Sequence, residues 1–160
     1  MRYIEQLYNI QNPSFNSIIE LNASLVPFQY RSRPWQYPGL NHGTAVLTTE
    51  EQCNAYIAAY GNMHQGKINE VLDEIKINDF ANTDLQIIDW GCGQGLATIC
   101  LFDFFNKHNL SLDLVKKVVL IEPSEVARDR AKTHVNAYLR DEDKIVVIGK
   151  YIDDVKVDDI

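Results

Sequence analysis

Gln86-Ile87-Ile88-Asp89-Trp90-Gly91-Cys92-Gly93-Gln94-Gly95-Leu96 is the stretch that decides the fold of this chain. A short apolar run carries an aspartate near its end. Three glycines follow at alternate positions, and an apolar segment runs on from Leu96 to Phe105. The pattern predicts a strand, a tight glycine loop and a buried helix. Glycine has no Cβ and tolerates positive φ, so such a loop lets a ligand press against bare backbone. The amides that open the next helix have no intrahelical partner and point into the same space.

Two nucleotide-handling patterns compete for this loop. The dinucleotide fingerprint requires G-x-G-x-x-G. Gly91 and Gly93 fit it, but Leu96 stands at the third glycine position. The residues present are D-x-G-x-G-x-G, with Asp89, Gly91, Gly93 and Gly95 in place. That spacing resembles the first motif of the class I S-adenosylmethionine (SAM)-dependent methyltransferases. A glycine-rich turn without a ligand is the plain alternative. Three glycines clustered at a strand-to-helix junction argue against it, because each costs about 1 kcal/mol relative to alanine inside a helix.

Downstream, Val118-Val119-Leu120-Ile121-Glu122 reads as a second strand, apolar throughout as expected for a parallel strand covered on both faces. It ends in a carboxylate, which can accept hydrogen bonds from both hydroxyls of a ribose. Pro123-Ser124 then opens a helix with Ser124 as N-cap. Ala127, Ala131, Val135 and Tyr138 or Leu139 form its buried stripe, and Arg128, Arg130, Lys132 and Arg140 its solvated face. Lys144–Gly149 is a third strand. The resemblance spans roughly residues 60–154. It implies an α/β, Rossmann-like three-layer α/β/α fold with a parallel sheet, its first three strands in the order 3-2-1. It also implies a cofactor site built from Asp89, Gly91, Cys92, Gly93, Gln94, Gly95, Glu122 and Pro123. By position in the family, Tyr60, His64 and Lys67 are candidates for the methionine end of SAM. Asp153 and Asp154 are candidates for the adenine amino group, although Lys150-Tyr151-Ile152 intervene where the family's acid usually follows the strand. His64 is the single residue worth testing as a catalytic base.

Upstream, residues 1–47 form a helical and loop extension, and residues 48–160 the SAM-binding domain. Residues 1–26 read as helical. Pro13-Ser14 starts a segment in which Phe15, Ile18, Ile19, Asn22, Leu25 and Val26 share one face, a cap on the main domain or a subunit contact or lid. Residues 27–47 read as a loop punctuated by Pro27, Pro34, Pro38, Gly39 and Gly43. Its aromatics and Arg31 and Arg33 either fold back on a core edge or contact a planar substrate or base. Thr48 and Glu51 stand in capping-box spacing. The helix they open runs to Tyr60 and stops at Gly61. A second helix carries Ile68, Val71, Leu72 and Ile75. Residues 76–85, including Asn78, Asp79 and Asn82, form a polar connection into the first strand.

The chain has 160 residues, a hydrophobic fraction of 46% and a net charge of −7, with a pI of about 5.0. That acidity does not recommend a nucleic acid partner. Cys53, Cys92 and Cys100 have no paired spacing and read as free thiols in a reducing cytoplasm. No signal peptide is evident, and no apolar run approaches the ~20 residues of a membrane span. The four histidines are scattered without metal-ligand spacing. The family's fourth strand carries its substrate-side motif, and this chain ends before one forms. The first strand is then an open edge, which predicts a longer parent chain or self-association. The expected function is SAM-dependent methyl transfer to an unidentified acceptor, a small molecule being favoured. The alternatives are a non-catalytic scaffold with a SAM-like fold and a nicotinamide dinucleotide-binding protein.

Overall fold

A computed structural model describes residues 3–77 and 83–160. Asn78, Asp79 and Asn82 of the polar connection lie outside the described residues. The element order is α1 (Tyr3–Tyr8), α2 (Phe15–Leu25), α3 (Glu50–Asp73), β1 (Leu85–Trp90), α4 (Leu96–Lys107), β2 (Val115–Ile121), α5 (Glu125–Leu139) and β3 (Ile145–Ile148). Short 3-10 turns fill the connections. The three strands pair in parallel in the order β1-β2-β3. The first strand, expected as an open edge, is an edge strand among the described residues.

The pleat sorts the sheet into two faces. Val118 and Leu120 of β2 join one core with Phe15 and Ile18 of α2, Ile57 and Leu72 of α3, and the inward residues of α4 and α5. Every described helix lies on that side. On the far face, Val119, Ile121 and Ile148 are covered by Val155 and Ile160, which belong to the C-terminal turns. The expected three layers are thus two helical-plus-sheet layers and a thin cover of 3-10 turns. Ile88 and Trp90 of β1 share the far face and remain 38% and 47% exposed.

Three sequence expectations change. First, residues 3–25 form two helices. Ser14 caps α2 by a reciprocal box with Ser17: its Oγ accepts from the Ser17 amide, and the Ser17 Oγ accepts from the Ser14 amide. Second, α3 is continuous through Gly61. An added Cβ there would meet Ile19 Cγ1 at 3.0 Å. This glycine allows α2 and α3 to approach closely, and the helix absorbs its cost. The cap also moves by one residue: Thr49 pairs with Gln52, and glutamine suits that position as well as glutamate. Third, Arg130 is not on a solvated face. It is 2% exposed. Its guanidinium donates to Glu50 Oε2 (2.7 Å), Asn22 Oδ1 (3.0 Å) and Asn54 Oδ1 (2.6 Å), and lies 3.4 Å from the Tyr3 ring centroid. Such saturation is what lets an arginine be buried.

Ser124 caps α5 as expected, and Ala127, Ala131, Val135 and Tyr138 are buried. Asp103 of α4 accepts from the Phe15 amide (2.8 Å) and from the Tyr138 hydroxyl (2.9 Å), tying α2, α4 and α5 together. Among the described residues no helix is long and apolar enough to cross a membrane.

Candidate functional site

The carboxyl ends of β1 and β2 open into a cleft of about 520 Å³, within the range of small-molecule sites, about 300–1,000 Å³. Open parallel sheets place ligands at this end because the strand-to-helix loops and helix N-termini converge there.

The floor is the glycine loop. The Cys92 amide donates to Ile121 O (2.9 Å), and the Gly95 amide donates to Cys92 O (2.7 Å), closing the turn. Gly91, Gly93 and Gly95 all have positive φ (66°, 52° and 76°). Their surroundings differ. A Cβ on Gly93 would have nothing within 4 Å, so the loop presents open backbone there. A Cβ on Gly95 would sit 3.2 Å from Ala131 Cα and Cβ. Gly95 is a packing glycine for α4 on α5, and it does not line the cleft.

Two carboxylates flank the loop. Glu122 Oε2 accepts from the Gly93 amide (3.1 Å) and Oε1 from the Ser124 amide (2.9 Å). The side chain is pinned across the loop, with lone pairs remaining on each oxygen for further donors. Asp89 Oδ2 accepts from the Thr98 hydroxyl at 2.7 Å. Burial pushes the Asp89 carboxyl up from its ordinary value, and the Thr98 hydrogen bonds oppose that shift.

Gln94 holds the floor from beneath. Its carbonyl meets His134 Nδ1 at 2.7 Å and its side-chain Nε2 donates to Cys53 O at 3.1 Å. A carbonyl can only accept, so His134 Nδ1 carries the proton and its Nε2 accepts from the Tyr3 hydroxyl at 2.5 Å. Burial holds the imidazole down at about 3. The loop is therefore braced by a neutral histidine whose own partner comes from the first helix.

The roof and far wall come from the segment read as a loop and from α3. Gly43–Leu47 lines the cleft, and Ser124 Oγ donates to Leu47 O at 2.5 Å, fastening that segment to the start of α5. From α3, Tyr56, His64 and Ile68 face the cleft. The Tyr56 hydroxyl and His64 Nε2 are 2.9 Å apart, with the rings stacked at 5.7 Å. Burial first, and then the nearby Lys67, hold the His64 imidazole below its ordinary value.

Of the residues singled out from sequence, Asp89, Gly91, Cys92, Gly93, Gln94, Glu122, Pro123 and His64 line the cleft. Tyr60, Lys67 and Asp153 do not. Tyr60 packs edge-on against Tyr56 and covers Gly43. Lys67 lies one turn beyond His64 on α3. Asp153 is exposed in the turn Ile152–Asp154, whose Ile152 Cδ1 would lie 3.6 Å from a Cβ on Gly91. Cys92 lines the cleft as a protonated thiol, because burial and the charges of Asp89 and Glu122 push its pKa far up. Sequence reasoning missed Tyr56, Trp90, Ile68 and the strap Gly43–Leu47. The signal available for Tyr56 was its i, i+8 relation to His64, close to two helical turns on the same side of one uninterrupted helix. Dividing α3 at Gly61 hid it.

Comparison with protein-family models, with curated proteins and with solved structures finds no match to this chain.

Proposed function

We propose that this cleft binds SAM and that the chain is the cofactor-binding part of a class I SAM-dependent methyltransferase of the cytoplasm, with the Rossmann-like arrangement of that family. The observation that carries the reading is the open backbone at Gly93, held 3.1 Å from the Glu122 carboxylate at the carboxyl ends of two parallel strands. Glu122 is placed to accept from ribose hydroxyls, and Asp89 to face a cationic group from the end of β1. Gly91 and Gly93 give access to the main chain. SAM supplies a methyl group on a sulfonium, already a strong leaving group, so the residues around it contribute chiefly by positioning.

The lining also discriminates between cofactors. No lysine or arginine lines the cleft among the described residues, while two carboxylates do. A nicotinamide dinucleotide would bring a diphosphate against Asp89 and Glu122 with only helix-end amides to offset it. SAM carries positive charge to the same place. Leu96 at the third glycine position points the same way. A scaffold role is the remaining alternative. The exposed Ile88 and Trp90 on an edge strand support association with a second copy or with further chain.

Calorimetric titration with S-adenosylhomocysteine tests the reading, alongside Gly93→Arg and Glu122→Ala. Micromolar binding abolished in both variants supports it. A folded chain that binds NADH and ignores S-adenosylhomocysteine rules it out.

A further inference from the structure

Part of the cleft is left over once the loop, Asp89 and Glu122 are assigned to the cofactor. It is bounded by Tyr56, His64 and Ile68 on α3, Trp90 at the end of β1 and the strap Gly43–Leu47. Its chemistry is one-sided. The walls carry aromatic residues, and the charged groups of the cleft among the described residues are carboxylates. Gln94, 2% exposed and in the floor of the same cleft, leaves its Oε1 acceptor without a hydrogen-bond partner. Arg128 and Lys67, on elements that border the cleft, are turned elsewhere. Arg128 donates to the carbonyls of Glu122 and Pro123 and packs on Gly149. Lys67 lies one turn beyond His64 and does not line the cleft.

We infer that the acceptor pocket between Tyr56, His64 and Trp90 selects a cationic amine carried on an apolar body. Three features of the wall act together. Trp90 and Tyr56 line the wall with aromatic rings, and an aromatic ring attracts an ammonium group placed over its face. Tyr56 and His64 are hydrogen-bonded to each other at 2.9 Å, and no lysine or arginine lines the cleft among the described residues. Asp89 and Glu122 give the cleft a fixed negative field that a carboxylate or phosphate ligand would have to oppose. Ile68 and Val46 supply apolar surface for the rest of the molecule. This inference rests on the cofactor reading, because it concerns the space that reading leaves free.

The test uses the full chain saturated with S-adenosylhomocysteine, titrated with phenethylamine and with phenylacetate, two probes of similar shape and opposite charge. Binding is read from the Trp90 indole N–H and the His64 ring resonances by NMR. The expected result is phenethylamine binding at least about tenfold tighter than phenylacetate, a difference one favourable ionic contact supplies, with the gap narrowing as salt is raised. Trp90→Leu, at an exposed position, should weaken phenethylamine more than it weakens S-adenosylhomocysteine. Equal binding of the two probes, preference for phenylacetate, or no response to either overturns the inference. Failure to bind S-adenosylhomocysteine in the first place overturns the cofactor reading instead, and the two failures are separable in one sample.

Discussion

Gly93 and Gly95 are two residues apart in one motif, and the structure assigns them different work. Alanine at either position must adopt positive φ, which costs a residue with a Cβ about 1–2 kcal/mol. At Gly93 that is the whole cost, since the added methyl meets nothing within 4 Å. At Gly95 the methyl would lie 3.2 Å from both Cα and Cβ of Ala131. Backbone on a buried helix cannot swing aside as a long side chain can, so α4 and α5 must separate. Overpacking of that kind adds about 1–3 kcal/mol, giving about 2–5 kcal/mol in all. Urea unfolding of the two variants measures the difference, with equal m-values required for the comparison. S-adenosylhomocysteine affinity provides the converse axis: a larger side chain at Gly93 enters the cleft and blocks ligand at modest cost in stability. If Gly95→Ala proves no less stable than Gly93→Ala, the division of labour drawn here between packing and access is wrong.

Other perturbations follow from the same geometry. Arg130→Ala leaves the buried Asn22 and Asn54 side-chain oxygens without their guanidinium donor and should cost about 2–5 kcal/mol, at about 1–3 kcal/mol for each stranded group, seen as a large fall in melting temperature. Arg130→Lys should recover little, because one ammonium cannot span Glu50, Asn22 and Asn54 together. His134 is neutral in the fold down to about pH 3 but titrates near 6.5 when unfolded. The unfolded chain therefore binds the extra proton in that window, and stability falls as pH drops from about 6.5 toward 3, by up to about 1.4 kcal/mol per unit from this group. Asp89 and Asp103, whose carboxyls burial pushes up, act in the opposite sense just above the ordinary carboxylate range. The diagnostic is thus the difference between wild type and His134→Gln, whose stability–pH slope should be flatter across the window. Ser124→Ala removes both the α5 cap and the tether to Leu47. It should cost about 1–2 kcal/mol and speed hydrogen exchange in residues 43–47. Unchanged exchange there would mean that the strap is held by its other contacts.

The legible parts of the sequence were those where one local pattern had one physical meaning. The run Ile87–Gly95 could only be a strand entering a glycine turn, and Glu122 followed from the end of the next apolar run. What escaped depended on tertiary partners. Gly61 reads as a helix stop by propensity, yet it is an approach point for Ile19. Arg130 sits among Arg128 and Lys132, where charge predicts a solvated face. Its partners come from 76, 80 and 108 residues away, and no local window contains them. The strap Gly43–Leu47 has no periodicity at all, and its place over the cleft is fixed by a hydrogen bond from Ser124.

Those long-range partners place the N-terminal segment in the argument about the cleft. Tyr3 of α1 bonds His134 through its hydroxyl, receives a hydrogen bond from Asn22 of α2 (3.0 Å) and lies under the Arg130 guanidinium. His134 in turn holds the Gln94 carbonyl at the floor of the glycine loop. The chain of contacts from α1 to the loop is thus buried, and every member has its partner fixed by donor–acceptor arithmetic: carbonyl to Nδ1–H, Nε2 to phenol, phenol to amide. Such a connected polar network is worth more than its pairs taken singly, because breaking one member strands the next in a low dielectric. Residues 3–25 consequently do more than cover an apolar face. They supply the Tyr3 hydroxyl that satisfies Nε2 of the histidine bracing the glycine loop, so Tyr3→Phe should loosen S-adenosylhomocysteine binding as well as stability, although Tyr3 does not line the cleft. Loss of stability with unchanged affinity would confine the N-terminal helices to packing.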